Sequence, residues 1–265
     1  MYPGSSLIIS TYNWPKALDC CFNSILGLKV WPDEIIIADD GSTEDTRELI
    51  AVFRKKSRVP VVHIWQPDTG FQLAKIRNKA VAAARYDYII QIDGDLILDP
   101  YFVKDHLSSA KPGRFIGGSR CLLSKCFSEQ LLEDPRVQVS LWKQGVRNRE
   151  NGIRMLPVGK LLNRLVKTSS SRSIRGCNMS FWRADFIRVN GYNEDYIGWG
   201  KEDTDLVIRF FKIGLERPMF KFIGIAYHIW HKEADRSGLE KNEALLHQLN
   251  SGLRHSCENG VSKYL

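Results

Sequence analysis

The sequence predicts an α/β chain in which a mostly parallel sheet is flanked by helices, all within a single domain that carries a basic helical or loop excursion in its second half. Three observations lead there. Short β-branched runs alternate with longer amphipathic ones through the amino-terminal part of the chain, the pattern of β-α-β units. The 265 residues, 43% hydrophobic and 26% charged, suffice to bury a large core. From Arg120 to Arg175 the strand pattern fades and basic residues outnumber acids.

Taken in order, the strands are expected at Ser6 to Ser10, Glu34 to Ala38, Val61 to Trp65 and Tyr88 to Ile92. After the first, Pro15 suits an opening helical position, and Leu18, Cys21, Phe22, Ile25 and Leu26 recur at helical spacing. After the second, Glu44 and Asp45 suit the positive end of a helix starting near Thr43. A third helix runs through Leu73, Ile76, Ala80 and Ala83. Farther on, the excursion reads as mobile and cationic, Thr168 to Ser173 has linker-like composition, and Phe220 to Trp230 reads as a strand. Alternation along that strand sends His228 and His231 to opposite faces, so that at most one enters a site.

Composition narrows the function. No apolar run approaches the ~20 residues of a membrane-spanning helix, and the start MYPGSSLIISTYN lacks the pattern of a secretory signal. The six cysteines include no CxxC pair, and the adjacent Cys20 and Cys21 lie in a helical pattern. They are read as reduced thiols of a cytoplasmic protein. A formal net charge of +8 favours anionic partners: nucleotides, nucleic acid or acidic lipid headgroups.

Open α/β sheets bind ligands beyond the carboxyl ends of their strands. Those ends carry Ser10-Thr11-Tyr12-Asn13, Asp39-Asp40-Gly41-Ser42 and Asp93-Gly94-Asp95. Neither GxGxxG nor GxxxxGK[ST] follows a strand, which argues against dinucleotide dehydrogenases and P-loop NTPases. Carboxylates must hold any nucleotide. On an extended chain Asp93 and Asp95 project to one side, where they could share a divalent cation; the same residues also read as a hairpin turn. Asp39-Asp40 reads equally as a helix-capping turn. In Gly198-Trp199-Gly200-Lys201-Glu202-Asp203-Thr204-Asp205, acids opening a helix are explained by its dipole alone. A tryptophan between glycines is not, and it offers a flat platform for a sugar ring beside a proton-accepting carboxylate.

Together these segments resemble family 2 glycosyltransferases of the nucleotide-sugar GT-A fold, a Rossmann-like architecture. LIISTYN, IIIADDGS, GFQLAKIRN and QIDGDLI match the donor-side motifs, the last a DxD metal motif. The stretch from IRGCNMSFW to DLVIRFFKIG is similar to the acceptor and catalytic block of β-1,4-galactosyltransferases and chondroitin polymerases. The resemblance implies a nucleotide-sugar-binding half over residues 1–118 and an acceptor-binding, catalytic half over 119–265 of the same domain. It implies that Ser10, Tyr12 and Asp40 line the uracil and ribose pocket, with Asp39 supporting the turn. Arg77 and Asn78 would lie near ribose and diphosphate, and Asp93 would contact ribose or a metal-bound water. Asp95 and His228 would bind Mn²⁺ or Mg²⁺, with Asp93 beside them. Trp199 would floor the acceptor site among Gly198, Gly176 and Asn178, and Asp203 of the Glu202-Asp203 pair would act as base.

The implied activity is inverting transfer of a sugar, from UDP in preference to other carriers, to a saccharide or lipid-linked saccharide in surface polysaccharide synthesis. The basic excursion adds an expected peripheral contact with anionic membrane at its inner face. Nucleic acid is not an expected partner, since acids in a groove repel phosphate. A non-enzymatic glycan- or nucleic-acid-binding module leaves the paired carboxylates unexplained, and a sugar nucleotidyltransferase lacks its glycine-rich amino-terminal signature here.

Overall fold

A computed structural model describes residues 2–171, 174–232, 238–252 and 254–265. Strands β1 (Ser5–Thr11), β2 (Glu34–Asp39), β3 (Val61–Trp65) and β4 (Tyr88–Asp93) pair in parallel, joined by helices α1 (Pro15–Leu26), α2 (Glu44–Lys56) and α3 (Leu73–Ala83). The sequence-derived strands lie within these bounds. There follow β5 (Leu96–Leu98), α4 (Phe102–Ser109), β6 (Ile116–Gly117), β7 (Cys121–Leu123), α5 (Lys125–Glu133), β8 (Val146–Arg147), α6 (Leu156–Leu165) and β9 (Lys167–Thr168). The chain ends with β10 (Asn178–Trp182), α7 (Arg183–Arg188), α8 (Glu202–Lys212), β11 (Arg217–Pro218), β12 (Ala226–His228) and α9 (Leu239–Ser251).

The main sheet has the order β3-β2-β1-β4-β10-β6, with β10 antiparallel to both neighbours. Side-chain alternation splits its core in two. Leu7, Ile9, Ile35, Ile37, Ile90 and Ile92 face α1, α2 and α4 through Leu18, Phe22, Phe53 and Phe102. Ile8, Ile36, Ile89, Met179 and Phe181 face α3, α7 and α8 through Ile76, Ala80, Phe186 and Phe210. Each buried Ile or Phe contributes about 1.5–3 kcal/mol. Cys20 and Cys21 enter different core clusters, as neighbours on a helix must, and all six cysteines are free thiols.

Two expectations need correction. Residues 220–230 do not form one long strand: only Ala226–His228 is extended, because Phe222 (φ 64°) and Gly224 (φ 61°) turn the chain into the left-handed region first. The excursion, in turn, holds the expected helices α5 and α6 but also short strands among the described residues. Strands β7 and β8 join β5 and β12 in a second sheet, and β9 pairs with β11. These strands are too short to show alternation in sequence. Arg172 and Ser173 of the linker-like tract lie outside the described residues.

Candidate active site

The carboxyl ends of β1, β2 and β4 open into a cleft of about 710 Å³. Its walls carry Ser10, Tyr12, Asp40, Arg77, Asp93, Asp95, Gly176, Trp199, Glu202, Asp203, His228 and His231. Residues far apart in sequence therefore meet on one surface.

At the β2 end, Asp40 accepts hydrogen bonds from Gln66 Nε2 (2.6 Å) and the Gln72 backbone N–H (2.8 Å). Burial still pushes its carboxyl above the ordinary range. Asp39 lies beneath the surface. Burial opposes its charge, yet contacts from His63 (2.8 Å) and the Ser42 N–H (2.8 Å) outweigh that and hold its pKa down. Gly41 makes the turn possible: its φ is +101°, and a Cβ there would come within 2.6 Å of the Asp68 backbone. Tyr12 is half exposed above the turn and donates to Asp68 (2.8 Å).

Asp93 and Asp95 part company. Asp93 ends β4, Gly94-Asp95 forms a turn, and β5 leaves for the second sheet, so this is no hairpin. Nor do the two carboxylates share a point. Asp93 Oδ1 accepts from Arg77 Nη2 (2.8 Å), whereas Asp95 Oδ2 faces His228 Nε2 (3.2 Å) and His231 Nε2 (3.3 Å). Both histidines thus enter, contrary to the expected alternation, because the strand stops at His228 and the chain bends. The two rings sit 5.0 Å apart, and His231 also meets Trp14 edge-on. Burial alone would raise the Asp95 carboxyl; the imidazoles hold it well below the usual range, and the contact with Asp95 raises His231. Asp95 Oδ1 is buried without a partner, and ligand atoms of Asp95, His228 and His231 lie within 4.8 Å of one another. One carboxylate and two imidazoles with an orphaned oxygen fit a divalent transition ion.

Arg77 is the hub that the sequence did not disclose. It is 1% exposed, and it donates to Ser10 Oγ (3.2 Å), Asp93 (2.8 Å) and Asp203 Oδ1 (2.9 Å), with Glu202 at 3.9 Å. Asp203 also accepts from Tyr192 Oη (3.1 Å) and, on Oδ2, from the Gly176 N–H (2.6 Å). Only glycine serves at 176, since a Cβ would lie 2.1 Å from Asp203 Oδ1. A carboxylate has about four lone-pair positions, so Oδ2 retains one for a proton-bearing ligand. Glu202 differs: burial, then the charge of Asp203, pushes its carboxyl up to about 8, and its Oε2 has no partner.

The loop before α8 holds three residues at positive φ, Gly198 (79°), Gly200 (100°) and Lys201 (80°). Asn242 Nδ2 of α9 braces it at the carbonyls of Ile197 (3.2 Å) and Gly200 (3.0 Å). Trp199 lines the cleft; Gly198 is off its wall, bonded through its N–H to the Phe71 carbonyl (3.1 Å).

Two residues expected at ligand contacts lie off the cleft wall. Asn78, one residue along α3 from Arg77 and so turned away from it, is fully buried and clamps Tyr192 through its backbone N–H and carbonyl (both 2.8 Å). Asn178 opens β10 inside the sheet, against His106 Nε2 (3.0 Å) and the Ser119 carbonyl (2.8 Å), outside the cleft wall. Tyr192 was missed; His228 and His231 were weighed as alternatives from the spacing His-Ile-Trp-His, and both reach Asp95.

Comparison with known proteins agrees. A family model described as glycosyl transferase family 2 matches residues 6–155, and one described as the N-terminal domain of galactosyltransferase matches 159–232. The chondroitin synthase of Escherichia coli is 26% identical over 80% of this chain and 32% of that protein. The validoxylamine A glucosyltransferase of Streptomyces hygroscopicus subsp. limoneus is 26% identical over 99% of this chain and 57% of that protein. The chain thus spans about a third to somewhat over half of these relatives. A mannosyltransferase from Pyrobaculum calidifontis, solved with GDP-Man and Mn²⁺, superposes with TM-score 0.61 at 14% identity, over 95% of this chain and 66% of that one. This is the GT-A fold.

Proposed function

Because the chain belongs to glycosyl transferase family 2, we propose that it transfers a sugar from a nucleoside diphosphate, UDP in the first instance, to a saccharide hydroxyl with inversion at the anomeric carbon. The observation that carries this reading is the convergence of Asp203, Asp95, His228 and His231 on one cleft. Asp40 and Tyr12 would hold base and ribose at one end, and Trp199 would floor the acceptor at the other. Asp203, fixed by Arg77, Tyr192 and Gly176, takes the acceptor hydroxyl proton on Oδ2. The acceptor oxygen then bonds to the anomeric carbon as the bond to the diphosphate oxygen breaks, in one displacement.

Asp95, His228 and His231 would hold the cation, Mn²⁺ in preference to Mg²⁺ because imidazole suits transition ions. When bound, such an ion supplies charge stabilisation to the departing diphosphate. Arg77, engaged by carboxylates, would position the base and Asp93, leaving the diphosphate to other groups.

The same proposal extends to peripheral contact with anionic membrane. No helix among the described residues is long and apolar enough to cross a bilayer. In α6, however, Gly159 and Asn163 are buried while Leu156, Leu161 and Leu165 are exposed beside Lys160 and Arg164, the arrangement of an interfacial helix. Sedimentation with acidic but not neutral vesicles is expected; equal pelleting with both would remove the contact.

The test of the activity is a panel of UDP- and GDP-sugars with Mn²⁺, read as nucleoside diphosphate release. Hydrolysis abolished by EDTA is expected. Release of pyrophosphate, or full turnover in excess EDTA, would overturn the reading.

A further inference from the structure

Beyond the catalytic cleft lies a second cavity of about 450 Å³, formed where β9 and β11 meet the loops around β6 and β8. Its chemistry is the opposite of its neighbour's. Asp40, Asp93, Asp95, Glu202 and Asp203 line the cleft, whereas the second cavity carries Arg120, Lys167, Arg175, Arg217 and Lys221 with no carboxylate on its wall. Lys167 pairs with Glu216 outside that wall. Among the described residues, Arg120, Arg175, Arg217 and Lys221 have no ion-pairing acid. Arg217 spends its donors on the carbonyls of Ser170 (3.1 Å) and Gly117 (3.4 Å), and burial depresses its pKa. Arg120 Nε is buried and unpartnered.

Arg120, Arg217 and Lys221 are partly buried and Lys167 and Arg175 exposed, and gathering like charges around one cavity is unfavourable unless an anion offsets it. The remaining wall suits a sugar. Asn148, Asn151 and Thr168 offer hydrogen bonds, and Val166, Pro218 and Phe220 offer apolar surface. Arg120 and Arg175 line both cavities, and the residue after Arg175 is Gly176, whose N–H holds Asp203. A unit in the second cavity is therefore adjacent to a hydroxyl presented to the base.

We propose that this cavity is an acceptor subsite for a sugar unit bearing an anionic group, a carboxylate or a phosphate, next to the unit that receives the transferred sugar. The inference rests on the glycosyltransferase reading, which donor hydrolysis by the wild-type chain tests separately.

The experiment compares three acceptors identical except at the adjacent unit, which is glucose, glucuronate or glucose 6-phosphate. Wild type is expected to show a KM at least about tenfold lower for one of the acidic acceptors, the scale of one or two charge-assisted contacts. The better of the two identifies the anion. Lys221→Ala, in a loop, and Arg217→Gln, which retains a donor for the carbonyls, are each expected to shrink that preference severalfold. Equal KM values for all three acceptors in wild type, or Lys221→Ala retaining the full preference, would overturn the subsite. Should wild type hydrolyse no donor, the activity fails instead. Binding of glucuronic acid and glucose 6-phosphate in EDTA, compared between wild type and Lys221→Ala, then decides the subsite: weakened binding supports it and unchanged binding ends it.

Discussion

Replacing Arg77 with methionine removes a guanidinium that is 1% exposed and lies 2.8 Å from Asp93 and 2.9 Å from Asp203. Methionine fills similar volume, so the dominant loss is electrostatic: two carboxylates in a largely enclosed wall lose their counter-charge. Breaking a buried pair from one side costs about 3–5 kcal/mol. At about 2–4 °C per kcal/mol for a chain of this size, the thermal midpoint should fall by roughly 10 °C. Burial already raises the Asp93 carboxyl with the guanidinium present, and without it that carboxyl should titrate higher still, above its value in the unfolded chain. Groups with raised folded pKa bind extra protons when folded, so the defect should shrink as pH falls toward about 4. Asp93→Asn in the Arg77→Met background should recover part of the loss, a non-additive signature of direct contact. Calorimetry from pH 7.5 to 5 measures all three effects. A midpoint within about 2 °C of wild type, indifferent to pH, would refute the hub.

Asp203→Asn should lower transfer by ~10² or more while nucleotide binding survives; near-normal turnover removes it from the role of base. Glu202→Gln mimics a carboxyl already raised to about 8 and should therefore retain far more activity at pH 7 than Asp203→Asn, an order that the two variants assayed together would reveal if reversed. His228→Ala and His231→Ala should each raise the Mn²⁺ concentration for half-maximal donor hydrolysis by ~10-fold or more, and a His231 variant indistinguishable from wild type would return that residue to a surface role. His106, held by Ser180 and Asn178, has its pKa pushed down by burial to about 4. Its folded pKa lies below the unfolded value, so its contribution is complete above about 6.5 and is lost as pH falls toward 4, about 3 kcal/mol in all. Urea midpoints at pH 7 and 4.5 should therefore diverge less in His106→Asn than in wild type, and parallel losses would contradict this.

The parallel half of the sheet was legible because Leu7 to Ile9, Ile35 to Ile37 and Ile89 to Ile92 are buried on both faces and so read as apolar runs, broken only by Gln91 in the last. The turn after β2 was legible too, since Asp39-Asp40-Gly41-Ser42 reads as one and Gly41 indeed takes a positive φ. The second half was not. Strands of two or three residues, such as β8 and β9, carry no periodicity, and β12 was overextended because its apolar neighbours are buried without being strand. In the site, residue types were readable and partners were not. Resemblance set Arg77 near ribose and diphosphate, but a motif does not record the acids that tertiary contact brings to it from β4 and α8. Asn78 and Asn178 look like ligand-binding amides until their hydrogen bonds are counted.

The antiparallel strand β10 limits where this polypeptide can be divided. It arrives from the later half of the chain yet lies between β4 and β6. A fragment stopping near residue 118 would leave the hydrogen-bonding edge of β4 bare along Ile89, Ile90 and Ile92, an invitation to intermolecular pairing. Fusion partners and affinity tags consequently belong at the termini, and swapping acceptor modules between relatives requires a junction that carries this strand together with its original neighbours.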